Sequence, residues 1–177
     1  MKKKTTTITA FLMLLFLASC EVVDRLLTFN ISNSVTFTIN SGVPIDSPLD
    51  VPTPDVTTNS STEFYNNNTS AVLVKDVKLQ QLKLSITNPE DKTFSFLKSV
   101  HLYISTNADD EIELAFLDNI SSTTNSISLI CTTQKLDNYI KSSSYRIRTS
   151  ITTKETLHQE TSMKAGMKFK ITADPFN

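Results

Sequence analysis

The sequence contains no tryptophan, two glycines, two cysteines and no excess of positive charge. Two glycines leave little material for phosphate-binding loops, and none of the glycine-rich nucleotide fingerprints occurs. The formal net charge of -1 gives no basic surplus to neutralise phosphates, so nucleic acid is not an expected partner. No internal repeat of about 20 to 50 residues is present, which argues against a solenoid.

The chain nevertheless has the composition of a folded domain. Its 177 residues suit one domain of ordinary size, and 39% of them are hydrophobic, enough for a core of moderate size. Serine, threonine and asparagine make up a third of the chain. This is not the composition of a disordered protein.

The first nineteen residues have the plan of a secretory signal peptide. Three lysines follow Met1, and a continuous apolar run extends from Phe11 to Leu17. As a helix, the stretch from Ile8 to Ala18 would be roughly 16 Å long, well short of the roughly 30 Å of hydrocarbon that a permanent span must cross. The pattern therefore predicts a signal that is removed.

The residues that follow, Leu17-Ala18-Ser19-Cys20, resemble the lipobox of bacterial lipoproteins. The resemblance implies that residues 1–19 are cut off, that the Cys20 sulfur receives a diacylglycerol and that the new amino group is acylated, for example with palmitate. Two or three acyl chains hold a protein on a membrane where one would not. Residues 20–26 would then be a lipidated tether, and Glu21, in place of an aspartate, favours the outer membrane.

The second cysteine, Cys131, has no partner for an intramolecular disulfide once Cys20 is acylated. It ends the apolar run that begins at Ser126, where a free thiol usually acts as a small buried hydrophobe. We therefore expect Cys131 in the core. A catalytic thiol would need His101 or His158 beside it, and nothing in the sequence places either one there.

Alternation of apolar and polar residues predicts six to eight strands. In the first run the alternation is strict, and we expect either one strand or a hairpin with a break near Asn33-Ser34. In the second run the phase changes at Gln80-Gln81, which predicts a β-bulge or the meeting of two elements. The runs cover residues 27–39, 71–87, 100–104, 112–116, 127–131, 145–151 and 163–172.

The connections carry turn signals and a few short helices. Four prolines between residues 41 and 61 predict a loop, an edge segment or a crossover, because proline cannot donate to a central strand ladder. Ser60 and Glu63 suggest one capped helical turn, and the spacing of Leu136, Tyr139 and Ile140 suggests another short helix.

These elements predict an all-β fold in a single domain over residues 27–177. The sheets would be mostly antiparallel, arranged as a sandwich or an open barrel. An immunoglobulin-like Greek-key sandwich with one or two short helical turns is the preferred architecture. Beyond the lipobox, the sequence resembles no family.

No catalytic, cofactor-binding or metal-binding residue is predicted. The acidic run Asp109 to Glu111, with Glu113, could offer oxygens to calcium, but it lacks the glycine and the alternate ligand spacing of such loops, so a solvated turn is preferred. His101 should face outward on its strand, and His158 lies in a polar connection. No HExxH or GxSxG pattern accompanies them.

Three functional hypotheses remain for the mature domain. The first is a noncatalytic, lipid-anchored binding or assembly module of the cell envelope, with an envelope protein or a glycan as partner. The second is a carbohydrate-binding accessory lipoprotein, for which Tyr103 beside His101 is the one candidate surface aromatic on a strand. The third is an envelope hydrolase. An exposed strand edge would favour the first, an aromatic-lined groove the second, and a pocket with convergent carboxylates the third.

Overall fold

The structure is a computed structural model, and it describes residues 27–51 and 53–174. The predicted signal peptide (1–19), Cys20 and the tether (20–26) lie outside these residues. The strands are β1 (Thr28–Ile39), β2 (Pro48–Val51), β3 (Val56–Thr57), β4 (Val74–Asn88), β5 (Leu97–Ser105), β6 (Ile112–Leu117), β7 (Ser126–Ser128), β8 (Ile130–Cys131), β9 (Ser144–Thr153) and β10 (Thr161–Ala173).

Three short helical segments complete the described chain. They are α1 (Ser60–Asn66), a 3-10 turn (Phe94–Phe96) and α2 (Asp137–Lys141). None of these described helices has the length and apolar character needed to cross a membrane. The predicted helix at Leu136 to Ile140 is confirmed, since α2 buries Tyr139 and Ile140 against the core.

The strands form two sheets in a nested arrangement. The four-stranded sheet has the order β1-β10-β4-β7, and the six-stranded sheet has the order β2-β9-β5-β6-β8 with β3 also paired to β9. All the strand pairs are antiparallel. β1 pairs with β10, β2 with β9, β4 with β7 and β5 with β6. Strands from the first half of the chain thus pair with later strands in reverse order. This is the jelly-roll form of the β-sandwich.

The predicted all-β antiparallel sandwich is therefore confirmed. Its strand order differs from the preferred immunoglobulin-like Greek key, in which the first two strands are neighbours in one sheet. Here β1 and β2 belong to different sheets. Alternation along a strand specifies which face is buried but carries no information on which strand lies beside it.

β1 is one uninterrupted strand, so the hairpin predicted at Asn33-Ser34 is wrong. Its register with β10 runs from Thr28 opposite Thr172 to Ile39 opposite Thr161 without a shift. Asn33 occupies an inward position among apolar residues and keeps the alternation because its amide has a partner inside the sandwich.

The bulge predicted near Gln80 is confirmed. Gln81 lies opposite Lys168, while Leu79 lies opposite Phe169, so Gln80 is the extra residue of β4. Leu79 and Leu82, on either side of the bulge, are both buried. The extra residue restores the register that a strict alternation would lose.

The proline-rich segment 41–61 lies at the edge of the six-stranded sheet, one of the alternatives predicted for it. β2 and β3 both pair with the outer side of β9. α1 then extends over seven residues, longer than the single expected turn. Its cap position is Asn59, which makes no side-chain capping bond, so the proposed pairing of Ser60 with Glu63 is wrong.

The core fills the space between the sheets, and Cys131 lies at its margin. The single strand predicted over residues 127–131 is wrong, because the chain passes at residue 129 from β7 in the four-stranded sheet to β8 in the six-stranded sheet. Cys131 is only partly buried, although it packs against the core. The expectation of a fully buried thiol is thus corrected, because β8 is a two-residue edge strand that leaves one side of Cys131 uncovered.

Candidate functional site

The outer face of the six-stranded sheet carries a row of stacked side chains. His101 and Tyr103 are successive outward residues of β5, while Phe116 of β6 lies opposite His101 and Arg148 of β9 lies opposite Tyr103. The ring centroids of His101 and Phe116 are 5.8 Å apart, and those of His101 and Tyr103 are 6.5 Å apart, each pair with an interplanar angle of 16°. We call these four residues the ring row.

Arg148 places a positive charge at one end of the ring row. Its guanidinium carbon lies 4.0 Å from the centroid of Tyr103, within the range of a cation–π contact. Its Nε and Nη2 donate to the Glu111 carboxylate, the latter at 2.7 Å, and Nη1 donates to Asp50 at 2.9 Å. The hydrogen bonds to Glu111, and then to Asp50, raise the pKa of Arg148, so the cation is permanent.

His101 lies between two carboxylates. Its Nδ1 is 2.7 Å from Glu113 Oε1, and its Nε2 is 3.3 Å from Asp118 Oδ1. Partial burial lowers the pKa of His101, but the hydrogen bonds to Glu113 and Asp118 together outweigh it, and the pKa is raised above 6.5. The pair of carboxylates therefore favours the imidazolium form.

A second bulge puts Phe116 and Glu113 on this face. Leu102 pairs with Ala115 and Tyr103 pairs with Glu113, so Leu114 is the extra residue of β6. Leu114 and Ala115 are both buried, and the phase of the strand changes between them. Simple alternation predicts that Phe116 faces the core together with Ile112 and Leu114. The small apolar Ala115, which falls out of phase with these residues, is the sequence signal that the phase changes.

Three carboxylates of the acidic run, those of Asp110, Glu111 and Glu113, bind protein groups. Asp110 accepts backbone hydrogen bonds from Thr106 and Asn107 at 2.8 and 3.0 Å and closes its turn. The Thr106 hydroxyl, which also donates to Asp110, lowers the pKa of this exposed carboxyl. Glu111 binds Arg148 and Glu113 binds His101, and no group of three or more metal ligands occurs within 27–51 and 53–174.

The structure separates the residues that a thiol enzyme would need. Cys131 lies opposite Ala115, whose side chain faces the core, whereas His101 lies opposite the outward Phe116. Burial raises the pKa of Cys131, which disfavours its nucleophilic thiolate form. His158 is exposed in the connection between β9 and β10. The outward position predicted for His101 is confirmed.

The outer edge of β1, from Phe29 to Ile39, pairs with no other described strand and is the second feature of interest. β1 is the terminal strand of the four-stranded sheet, and it pairs with β10 alone among the described strands. It is twelve residues long, with no charged residue, no proline and no break in register. The other terminal strands are shorter: β2 has four residues and begins at Pro48, while β7 has three and β8 has two.

Neither a protein-family model nor a curated protein sequence matches this chain. Among solved structures, that of Desmodium yellow mottle tymovirus has 11% identity over 84% of this chain and 89% of its own, with a TM-score of 0.29. Cocksfoot mottle virus gives 7% identity over 83% and 96%, with a TM-score of 0.28.

A third solved structure concerns the promiscuous specificity of carbohydrate-binding modules from the β-sandwich superfamily. Its identity to this chain is 8%, over 78% of this chain and 54% of its own, with a TM-score of 0.28. Scores this low carry no argument about the ligand or partner of this protein.

Proposed function

We propose that the chain is a noncatalytic, lipid-anchored protein of the cell envelope, most consistent with the outer membrane, that acts as a binding or assembly module. The lipobox at Leu17 to Cys20 supports the anchor, with Cys20 as the lipidation site. The free edge of β1 supports the binding role, and its occupant would be an extended segment of an envelope protein that adds one strand to the four-stranded sheet.

The edge of β1 carries this proposal. Sheet proteins usually protect an exposed edge with lysine, proline, a bulge or a short strand, because unpaired backbone groups recruit other chains. β1 has none of these protections, although the remaining terminal strands are short. A long, regular and uncharged edge is the geometry that strand addition requires.

The carbohydrate-binding alternative depended on Tyr103. Arg148 covers one face of that ring at 4.0 Å, and the His101 ring lies 6.5 Å from it, so protein already contacts part of the ring surface that a sugar would use. The hydrolase alternative depended on convergent carboxylates in a pocket. Asp50 and Glu111 do line an open pocket of about 430 Å³, but both carboxylates bind the Arg148 guanidinium within it. Glu113 and Asp118 bind His101.

Affinity capture from detergent-solubilised envelope tests the proposal. We expect the full chain to retain an envelope protein, and we expect the variant Ser34→Lys/Thr36→Lys, which places charges along the edge strand, to lose it at least tenfold. The matched control is Gln80→Lys/Gln81→Lys, which adds the same charge to an internal strand of the same sheet and should capture normally. Equal capture by both variants would contradict binding at β1.

The lipid anchor is tested by separate measurements. The mass of the N-terminal peptide should show diacylglycerol and acyl groups on Cys20, and Cys20→Ala should move the protein out of the membrane fraction. A Cys20→Ala protein that stays with membranes as completely as the original would show that the lipobox is not the anchor.

A further inference from the structure

The outer face of the four-stranded sheet is positively charged. Five lysines lie on the outward face of the two central strands, β4 and β10, and we call them the lysine face: Lys78, Lys83, Lys164, Lys168 and Lys170. Lys75, at the start of β4, is also exposed but pairs with Asp174 and is not included. Asp76 is the outward carboxylate on these two strands, and it lies 3.4 Å from Lys78. In the described part of the chain, the other four ammonium groups have no ion-pair partner.

The charges of the opposite sheet behave differently, because they are paired. Lys98 contacts Asp46 at 2.7 Å, and Arg146 contacts Asp55 at 3.0 Å. Arg148 is shared between two carboxylates. Among the described strands, the lysines without an ion pair therefore lie on the four-stranded sheet, in a chain whose formal net charge is -1.

The shape of the lysine face suits many phosphates on a surface. Lys164 and Lys170 are six residues apart on one strand, so their backbone positions span roughly 20 Å. Between them, Gly166 leaves an open depression of about 390 Å³ lined by Lys83, Lys164 and Lys168. Apart from Lys75, Lys78, Lys83 and Asp76, the outward residues of β1 and β4 are serine, threonine, asparagine and glutamine. Their side chains donate hydrogen bonds to phosphate oxygens but offer no ring for a sugar to stack on.

We infer that the lysine face docks the anchored domain flat against the anionic phospholipid headgroups of its own membrane. The inference rests on the proposed anchor at Cys20. Seven residues, 21–27, lie between the acylated Cys20 and β1, so the Cys20 and Thr28 Cα atoms are at most about 29 Å apart. β1 begins at Thr28, on the same sheet as the lysine face, opposite Thr172 and two residues from Lys170. A short tether thus holds this face close to the headgroups, where each lysine strengthens binding about fivefold.

Lysine acylation on vesicles tests the inference. The full chain would be placed on vesicles of phosphatidylcholine alone or with phosphatidylglycerol, labelled with an amine-reactive ester and read residue by residue by mass spectrometry. We expect Lys164, Lys168 and Lys170 to react at least fivefold more slowly on the anionic vesicles, with recovery at high salt. Lys98, on the opposite sheet, should react equally on both.

Two variants test whether the protection of the lysine face depends on its own charges. The variant Lys164→Gln/Lys168→Gln/Lys170→Gln should abolish the protection of Lys83, whereas Lys98→Gln should preserve it. Equal rates at the lysine face on both vesicles would overturn the inference, as would protection by soluble dextran sulfate but not by phosphatidylglycerol. The mass of the Cys20 peptide in the same sample reports the anchor separately, so a failed anchor and a failed docking face give different results.

Discussion

Asn33 of β1 and Tyr145 of β9 join the two sheets through the core. The Asn33 Nδ2 donates to the Tyr145 hydroxyl at 3.0 Å, and Tyr145 is 1% exposed. Burial raises the pKa of Tyr145, and the hydrogen bond from the Asn33 amide partly offsets this, leaving a pKa of about 12. The hydroxyl is therefore neutral at physiological pH, and its interaction with Asn33 is a neutral hydrogen bond between two otherwise apolar layers.

We expect Asn33→Leu to lower the free energy of unfolding by about 1 to 3 kcal/mol, because it leaves the buried Tyr145 hydroxyl without this partner. Urea unfolding measures the change. The double variant Asn33→Leu/Tyr145→Phe removes both polar groups and should recover part of the loss. A double variant less stable than Asn33→Leu by the full cost of Tyr145→Phe would show that the two side chains are not coupled.

His101 should make stability depend on pH. Its folded pKa is raised above 6.5 by Glu113 and Asp118, so its contribution is fully present below pH 6.5 and is lost as the pH rises through the folded pKa. The free energy of unfolding should therefore fall over this window in the native protein. The same urea series on His101→Gln should show a smaller decline; identical pH profiles would rule out this role.

The stability of the protein should depend on the presence of residue 80 in β4 and hardly at all on the chemistry of its side chain. Deleting Gln80 removes the bulge, so that one half of β4 must turn its apolar residues outward, and we expect the deletion variant not to fold. Gln80→Ser keeps the spacing and should change stability by no more than about 0.5 kcal/mol. Circular dichroism and thermal unfolding of the two variants separate these effects. A folded deletion variant of native stability would contradict the register of β4.

Cys131 should react slowly with thiol reagents. Burial raises its pKa, so little thiolate is present at neutral pH, and the side chain is partly covered by the core. We expect a rate at least tenfold below that of free cysteine in an Ellman assay of native protein, and a rate close to free cysteine in denaturant. A fast native reaction would indicate an activated thiol and reopen the possibility of catalysis.

Local patterns predicted most of the long strands, but they did not predict the short strands β2 and β3 or the division of residues 126–131 into β7 and β8. The phase change at Gln80 predicted a bulge because apolar residues on both sides of it had to reach one core. The break predicted at Asn33 was wrong because its hydrogen-bond partner, Tyr145, lies 112 positions away, and no local pattern reveals that bond. The jelly-roll order is likewise a property of pairing between distant strands, which alternation does not encode.

Only part of the ring row could be predicted from the sequence. Tyr103 and His101 alternate with apolar residues, so their outward direction could be predicted. Arg148 and Phe116 join them through the registers of β9 and β6, and the bulge at Leu114 reverses the phase of Phe116. The free edge of β1 could not be predicted at all, because which strand is terminal depends on the complete sheet.

Site-specific photo-cross-linking in the intact envelope tests most directly whether β1 is the binding edge. A photoreactive amino acid would replace Ser34 or Thr36 on β1 and, as the control, Gln81 on the internal strand β4. We predict that the β1 positions form one discrete adduct with an envelope protein and that position 81 forms none. Adducts at position 81 of equal yield, or none at the β1 positions while Cys20 is acylated, would contradict the proposed assembly role.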